Sequence, residues 1–175
     1  MKNFLFGFFG FVLLSALVLS APARAQAQTT APAAQALAKE INQLMRNAQK
    51  PRQEVRLTLS GCHAQQLIRD QDADVHLSQA LAMSYSSDKS GWAVKMDNGL
   101  FELKMDFEWA DVTALRYARA EADDDEPAHY QITITKHKKG SSGNTTFSLP
   151  LYTTNEAVVK DLTRRLEKLR LSCGE

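Results

Sequence analysis

The chain has 175 residues, of which 44% are hydrophobic and 23% charged, and its formal net charge is +1. This composition is typical of one globular domain that can bury a core of its own. The charge balance argues against a nucleic-acid partner, because a polyanion needs a clustered cationic surface.

The N-terminus has the pattern of a secretory signal peptide. Lys2 precedes an apolar run, residues 4–19, and Ala23-Arg24-Ala25 is a small-x-small cleavage site. We therefore predict a signal peptide over residues 1–25, cut between Ala25 and Gln26. The run is short for a membrane span, which needs about 20 apolar residues, so an uncleaved anchor is the weaker alternative. The expected location is periplasmic or secreted, with no membrane span after removal of the signal.

Two cysteines, Cys62 and Cys173, remain after processing, and removal of Lys2 and Arg24 brings the net charge from +1 to −1. An exported chain meets an oxidising compartment, in which an even pair of cysteines usually forms a bridge. We predict the disulfide Cys62–Cys173, worth roughly 4 to 5 kcal/mol in the chain-entropy model. The alternative is two free thiols.

Residues 26–36 are rich in Ala, Gln and Thr and are predicted to form a flexible tether, followed by a single domain over residues 37–175. A helix is predicted from about Ala33 to Gln49, ended by Pro51, since apolar residues recur there at helical spacing. Its apolar stripe consists of Leu37, Ile41, Leu44, Met45 and Ala48. From Glu54 the period changes to two, which predicts a strand that stops near Gly61.

The stretch from His63 to Tyr85 is ambiguous. Residues 67–68 and 75–77 are interpreted as short strands, although the spacing of residues 77, 80, 81 and 84 also suits a helical turn. Residues 86–91 are predicted to form a loop by composition.

The clearest pattern runs from Trp92 to Trp109, where apolar and polar residues alternate on both sides of Asn98-Gly99. This dipeptide tolerates the positive φ angles of a type I′ turn, which predicts a two-residue β-hairpin. Counting outward from the turn places Met96 opposite Phe101, Val94 opposite Leu103, Trp92 opposite Met105 and Lys95 opposite Glu102. We expect the apolar face to be buried and the other face to be wet.

Three more strands and a helix are predicted after this hairpin. The strands cover residues 112–120, 129–137 and about 147–151, and Pro150 predicts that the last one either lies at a sheet edge or ends early. Thr153 and Glu156 have the spacing of a capping box for a helix that ends at Cys173-Gly174. The apolar face of this helix is formed by Val158, Val159, Leu162, Leu166 and Leu169.

The predicted fold class is therefore α+β, with an N-terminal helix, a curved antiparallel sheet of about six or seven strands and a C-terminal amphipathic helix packed on it. A barrel-like closure is one form of this architecture. The element order resembles the pleckstrin-homology-like barrel, a likeness of order alone that implies no ligand.

No catalytic set is recognised in the sequence. Cys62 precedes His63, but adjacent side chains on a strand point to opposite faces, so a disulfide beside a surface histidine is the better interpretation than a nucleophile with its base. The four histidines, at positions 63, 76, 129 and 137, lack metal-ligand spacing. Asp106 and Glu108 are attributed to the wet face of the sheet. We expect no catalytic residue, no metal site and no cofactor.

Two charged loops remain, an acidic one at residues 123–126 and a basic one at residues 136–139, at opposite ends of one predicted strand. They could orient a charged partner, although solvated loop tips are the better interpretation. The acidic loop lacks the spaced ligands of a calcium site. Asn144-Thr145-Thr146 matches a glycosylation acceptor and is assigned no function.

These observations favour a non-enzymatic exported binding module that contacts another envelope or secreted protein, as an accessory factor or an inhibitor would. The alternative is a small-molecule or lipid carrier with an apolar cavity between sheet and helices, lined by Trp92, Phe101, Phe107 and Trp109. The simpler interpretation of these four aromatic residues is an ordinary core. An enzyme that uses His63 or His76 is a third hypothesis.

Overall fold

A computed structural model describes residues 31–87, 90–123, 126–137 and 143–174. Within these ranges the chain forms two helices and eight strands: α1 (Ala31–Leu44), β1 (Gln53–Ser60), β2 (His63–Asp70), β3 (Leu81–Ser87), β4 (Ser90–Asp97), β5 (Leu100–Glu108), β6 (Val112–Ala120), β7 (His129–His137), β8 (Asn144–Leu151) and α2 (Glu156–Cys173). The strands pair in two antiparallel sheets, with orders β1-β2-β5-β4-β3 and β6-β7-β8. The α+β class is confirmed. The predicted count of six or seven strands and the barrel-like closure are not confirmed, because the strands form two open sheets and not one curved sheet.

Helix α1 begins and ends earlier than the sequence suggested. Residues 31–36, assigned above to a tether, form its first turns, since alanine favours a helix and Ala34 extends the buried stripe. The helix ends at Leu44 rather than near Gln49. The buried Asn47 side chain accepts a hydrogen bond from the Gln49 N–H, 2.9 Å, and turns the chain toward β1. Residues 1–30, including the predicted cleavage site, lie outside the described residues.

The β1–β2 hairpin carries the first cysteine in its turn. Ser60 pairs with His63, so Gly61 and Cys62 form the connection, and Gly61 has a φ of 58°, which favours glycine. The predicted partners are joined, with Cys62 and Cys173 sulfurs 2.06 Å apart. This bridge fastens the tip of the first hairpin to the end of α2.

The ambiguous stretch consists of β2, an irregular segment and β3. A strand at residues 67–68 is confirmed within β2, but residues 75–77 form neither a strand nor a helical turn. The Val75 carbonyl accepts from the Gly99 N–H, 3.1 Å, and the Leu77 N–H donates to the Asn98 side chain, 3.1 Å. These two hydrogen bonds hold the segment against the β4–β5 turn. The expected loop over residues 86–91 is instead the tip of a β3–β4 hairpin, which pairs Ser87 with Ser90.

The β4–β5 hairpin has the register that the sequence predicted. Met96 is opposite Phe101, Val94 opposite Leu103, Trp92 opposite Met105 and Lys95 opposite Glu102. Gly99 in the two-residue turn has a φ of 69°. At its far end β5 leads into a short 3-10 turn, Trp109–Asp111, in which the Trp109 N–H donates to the Cys62 carbonyl, 2.8 Å.

The second sheet and α2 follow the prediction except at the helix start. β8 lies at a sheet edge, as Pro150 indicated. The N-cap of α2 is Asn155, whose side chain accepts from the N–H groups of Ala157 and Val158. The proposed capping box is therefore wrong: Thr153 accepts from the Asn155 N–H, 3.2 Å, and thus stabilises the turn before the cap.

The core is formed by both helices, the second sheet and only part of the first. Its largest fully buried side chains include Trp109, Phe107, Ile41, Leu57, Ile132, Leu149, Leu162 and Leu166. The buried Gln66 of β2 donates to the Ser148 carbonyl of β8, 3.0 Å, and links the two sheets. Strands β3 and β4 contribute no buried residue to this core among those described.

Candidate binding surface

Among the described residues, four of the five exposed large apolar side chains lie together on β3 and β4, and the fifth is Leu171 of α2. Leu81, Met83 and Tyr85 are 40%, 47% and 57% exposed, and Trp92 is 41% exposed. The strand register places all four on the sheet face that carries Met105 and Phe107 in β5. The expectation that this face is buried is therefore wrong at its β3–β4 end, because none of the described helices and second-sheet strands lies over it.

We call this region the outlying face and define it by the exposed side chains together with their half-buried neighbours. Its members are Leu81, Met83, Tyr85, Trp92, Val94, Met96, Phe101 and Leu103. A folded monomer rarely leaves adjacent large apolar side chains in water, and such patches usually mark an interaction site. Aromatic residues and methionine, both present here, are enriched at protein interfaces.

A cleft of about 270 Å³ borders the outlying face on the side of the second sheet. Its apolar wall is formed by Tyr85, Trp92, Met105, Phe107 and Phe147. The rim is polar and carries both signs of charge, with Asp111 on one side and Lys136 with His137 at the end of β7. Because both signs are present, the rim selects neither an anion nor a cation.

The opposite face of the same strands is polar and ion-paired. The Arg69 guanidinium donates to Glu102, 2.5 and 2.8 Å, and Lys104 lies 3.1 Å from the same carboxylate. Hydrogen bonds from Arg69 and Lys104 hold the pKa of Glu102 below its ordinary value. This network accounts for the charged residues on the polar face of the hairpin. It does not account for the exposed apolar side chains on the outlying face.

The Cys62–His63 pair does not form a nucleophile with its base. Cys62 is bonded to Cys173, and His63 points to the polar face. There its Nδ1 lies 3.1 Å from Glu108 and its Nε2 lies 3.5 Å from Asp106. Gln65 also donates to Asp106, 2.9 Å, so the cluster is a cross-strand polar network.

The other histidines are separate from one another. His76 pairs with Asp74 in water, and His137 lies at the cleft rim. His129 is buried, with its Nδ1 2.9 Å from the Pro127 carbonyl oxygen. In the part of the chain that the structure describes, no three histidine, cysteine or acidic side chains are grouped to hold a metal ion.

The charged loops fall partly outside the described residues, at positions 124–125 and 138–142. At their margins, Glu126 lies 3.6 Å from the Lys50 ammonium. Asn144 of the glycosylation triplet is exposed at the start of β8. A dipole between the two loops therefore stays a prediction.

The four aromatic residues suggested for a carrier cavity are not brought together. Trp109 is fully buried in the core, and Phe107 is packed against Phe147, with ring centroids 4.5 Å apart. Trp92 and Phe107 border the cleft, whereas Phe101 does not.

Sequence reasoning missed Leu81, Met83 and Tyr85. Their alternation with Ala82 and Ser84 is a period-two signal that could have predicted β3, and loop composition just beyond it obscured the strand.

No helix within the described ranges is both long and apolar enough to cross a membrane. No protein-family model, curated protein or solved structure matches the chain.

Proposed function

We propose that this protein is an exported, non-enzymatic binding module that presents the outlying face to another envelope or secreted protein. The observation that carries the proposal is the exposure of Leu81, Met83, Tyr85 and Trp92 on one sheet face of a molecule whose other apolar strand faces are covered. Export follows from the signal-peptide pattern, and the Cys62–Cys173 bridge is compatible with an oxidising compartment.

The arrangement suits a protein partner because the surface is broad, and aromatic and methionine side chains contribute much of the affinity at protein interfaces. Trp92 and Tyr85, directly opposite each other in the β3–β4 register, form the natural anchor. Each of these two side chains has only two rotatable torsions, so little side-chain freedom is lost on binding.

A photoreactive amino acid tests this proposal in the exporting cell. Placed at Met83 it lies on the outlying face, and placed at the exposed Arg116 of β6 it serves as a matched control. We expect position 83 to give a discrete cross-linked protein whose sequence differs from that of this chain, and position 116 to give none. That protein, once purified, should bind the wild-type chain and lose at least tenfold in affinity for Trp92→Asp. Equal cross-linking at both positions, or equal binding by the variant, contradicts the proposal.

Export is tested separately by N-terminal sequencing of the mature protein. A new N-terminus at Gln26, with no free thiol in the unreduced denatured chain, is the expected result. A chain that retains Met1, or that has two reactive thiols, contradicts export and the oxidised state respectively.

The second candidate is a carrier of a small apolar molecule, and the cleft of about 270 Å³ favours it. The ligand would lie between the two sheets rather than between sheet and helices. Native mass spectrometry of the protein from its exporting host should then show a bound molecule that Phe147→Trp, which narrows the cleft, displaces. A ligand-free wild-type spectrum, together with no fluorescence response to added dodecanoate, rejects the carrier.

A further inference from the structure

The outer edge of β3 consists of unused backbone hydrogen-bonding groups. Asp97 and Leu100 flank the two-residue turn and form a hydrogen-bonded pair. Hydrogen-bonded and non-hydrogen-bonded pairs alternate along an antiparallel ladder. Every second residue of β4, counted from Asp97, therefore bonds to β5. Trp92 and Val94 therefore bond to β3, through Tyr85 and Met83. The backbone groups of Ala82, Ser84 and Ser86 consequently point away from the sheet, and no strand within the described ranges pairs with them.

The other three sheet edges each carry a feature that prevents pairing with another chain. On β1, the Asn42 side chain of α1 bonds both the N–H and the carbonyl of Leu57, 2.7 and 2.9 Å. β6 has a bulge between Val112 and Ala114, and β8 contains Pro150. Bulges, prolines and covering elements are the usual means of blocking an edge.

β3 has none of these features. Its sequence, LAMSYSS, contains no charge and no proline, and every residue from 78 to 86 is exposed. The preceding segment does not shield it, since Val75 and Leu77 are held at the β4–β5 turn, beyond the end of the sheet. Water can satisfy such a row of backbone donors and acceptors, but the protein element that matches its spacing is another extended strand.

We propose that the strand that occupies this edge is β3 of a second copy of the chain, antiparallel, with the two-fold axis at Ser84. The outward groups of Ala82, Ser84 and Ser86 require these residues to form the hydrogen-bonded pairs. Among registers that meet this condition, the one centred on Ser84 pairs all seven residues of β3. It places Met83 beside Tyr85 of the partner copy on the apolar face, and Ala82 beside Ser86 on the other.

This self-complementarity distinguishes a second copy from an arbitrary peptide. An isologous interface requires the same patch to match itself. Here Met83 meets Tyr85, the small residues Ala82, Ser84 and Ser86 meet one another, Leu81 is opposite Ser87 at each end, and no like charges are opposed on the pairing strands. The dimer joins the two five-stranded sheets into one and places the two outlying faces side by side. It is tested separately from the proposed protein partner, because Ser84 lies on the edge strand but its side chain is on the sheet face opposite the outlying face.

The interface is a single strand pair, well below the roughly 1,200 Å² of stable complexes, so the dimer is expected to be weak and concentration-dependent. Sedimentation velocity of the purified disulfide-bonded protein, from about 10 μM to about 1 mM, measures this association. Ser84→Lys and Ser84→Glu each place like charges directly opposite at the two-fold axis and should be monomeric at every concentration. Ser84→Ala is the matched control and should dimerise like the wild type.

Mixing the two charged variants gives the sharpest result, because a Lys–Glu pair at the axis should restore a dimer of wild-type size or tighter. Circular dichroism and the absence of free thiols report that each variant is folded. A wild-type protein that stays monomeric at 1 mM overturns the proposal. Two other results would also overturn it. One is association of both charged variants at the wild-type level, which would place the contact on another surface. The other is failure of the mixture to associate when each variant alone is monomeric.

Discussion

The two halves of the five-stranded sheet have the same alternating sequence pattern and different surroundings. In the half formed by β1, β2 and the end of β5, the apolar face is covered by the helices and the second sheet, and Leu57, Ala64 and Phe107 are buried. In the half formed by β3 and β4, the same face is open to water, and Trp92 and Tyr85 are exposed. Whether a strand face is buried therefore depends on which helices or strands pack over it. The covered half forms the folded core, and the outlying half is available to bind a partner.

The disulfide belongs entirely to the covered half, and its removal should have the largest effect. It closes a loop of 111 residues between the first hairpin and α2. Replacing both cysteines by alanine should lower the free energy of unfolding by roughly 4 to 5 kcal/mol in the chain-entropy model. Urea unfolding of the wild-type and double-variant proteins measures this. A loss below about 1 kcal/mol would mean that the bridge contributes little to the covered half.

The two tryptophans compare the halves directly. Trp109 is fully buried, so Trp109→Ala should cost about 3 to 5 kcal/mol in unfolding free energy. Trp92→Ala, on the outlying face, should cost less than about 1 kcal/mol, because its side chain is already 41% exposed. Equal losses at the two positions would contradict the division into a structural half and a binding half.

Gly91 controls how β3 attaches to β4. An added Cβ there would lie 2.5 Å from the Tyr85 carbonyl oxygen and 3.1 Å from the Ser86 Cα, so the β3 backbone must shift. Gly91→Ala should cost roughly 1 to 2 kcal/mol. Amide hydrogen exchange should become faster in β3 and stay slow in β7. Ser86→Ala is the control, and unchanged exchange of β3 in Gly91→Ala would show that the hairpin is held elsewhere.

The ion pair between Arg69 and Glu102 joins β2 to β5 on the polar face and should have the smallest effect. Arg69→Met should lower the free energy of unfolding only slightly, and by less than the changes above, since the arginine is partly solvated. Because the pKa of Glu102 is lower in the folded than in the unfolded chain, its contribution is present above the ordinary glutamate pKa and lost as pH falls through the folded pKa.

The pH dependence is measured as the difference in unfolding free energy between wild type and Glu102→Gln. This difference should shrink as pH falls from about 5 to about 3. Glu121→Gln, at an exposed carboxylate in the segment that follows β6, is the control. A difference that stays constant over this range would show that Glu102 is not stabilised in its charged form.

Much of the fold could be predicted from local pattern. The Asn98-Gly99 turn fixes the β4–β5 register, the period-two runs locate β1, β7 and β8, and the apolar spacing of α2 identifies its buried side. Compartment chemistry alone suggested the Cys62–Cys173 pair. These features depend on neighbouring residues or on residue type alone, so they can be predicted from one sequence without the tertiary structure.

The candidate site was harder to predict because exposure of a strand face depends on distant elements. Trp92 and Phe107 have the same alternation, and only the placement of the second sheet and helices separates the exposed ring from the buried one. The cap of α2 was misplaced for a related reason: Thr153 and Asn155 are both good caps, and the local backbone selects Asn155.

Acrylamide quenching of tryptophan fluorescence tests the central claim most directly, because the chain contains two tryptophans and they lie in different halves. A Trp109→Phe variant reports Trp92 alone, and a Trp92→Phe variant reports Trp109 alone. At concentrations of a few micromolar, we expect Trp92, which is 41% exposed, to be quenched at least severalfold faster than the buried Trp109. If both are equally protected, the outlying face is covered within the single chain and no binding surface remains there.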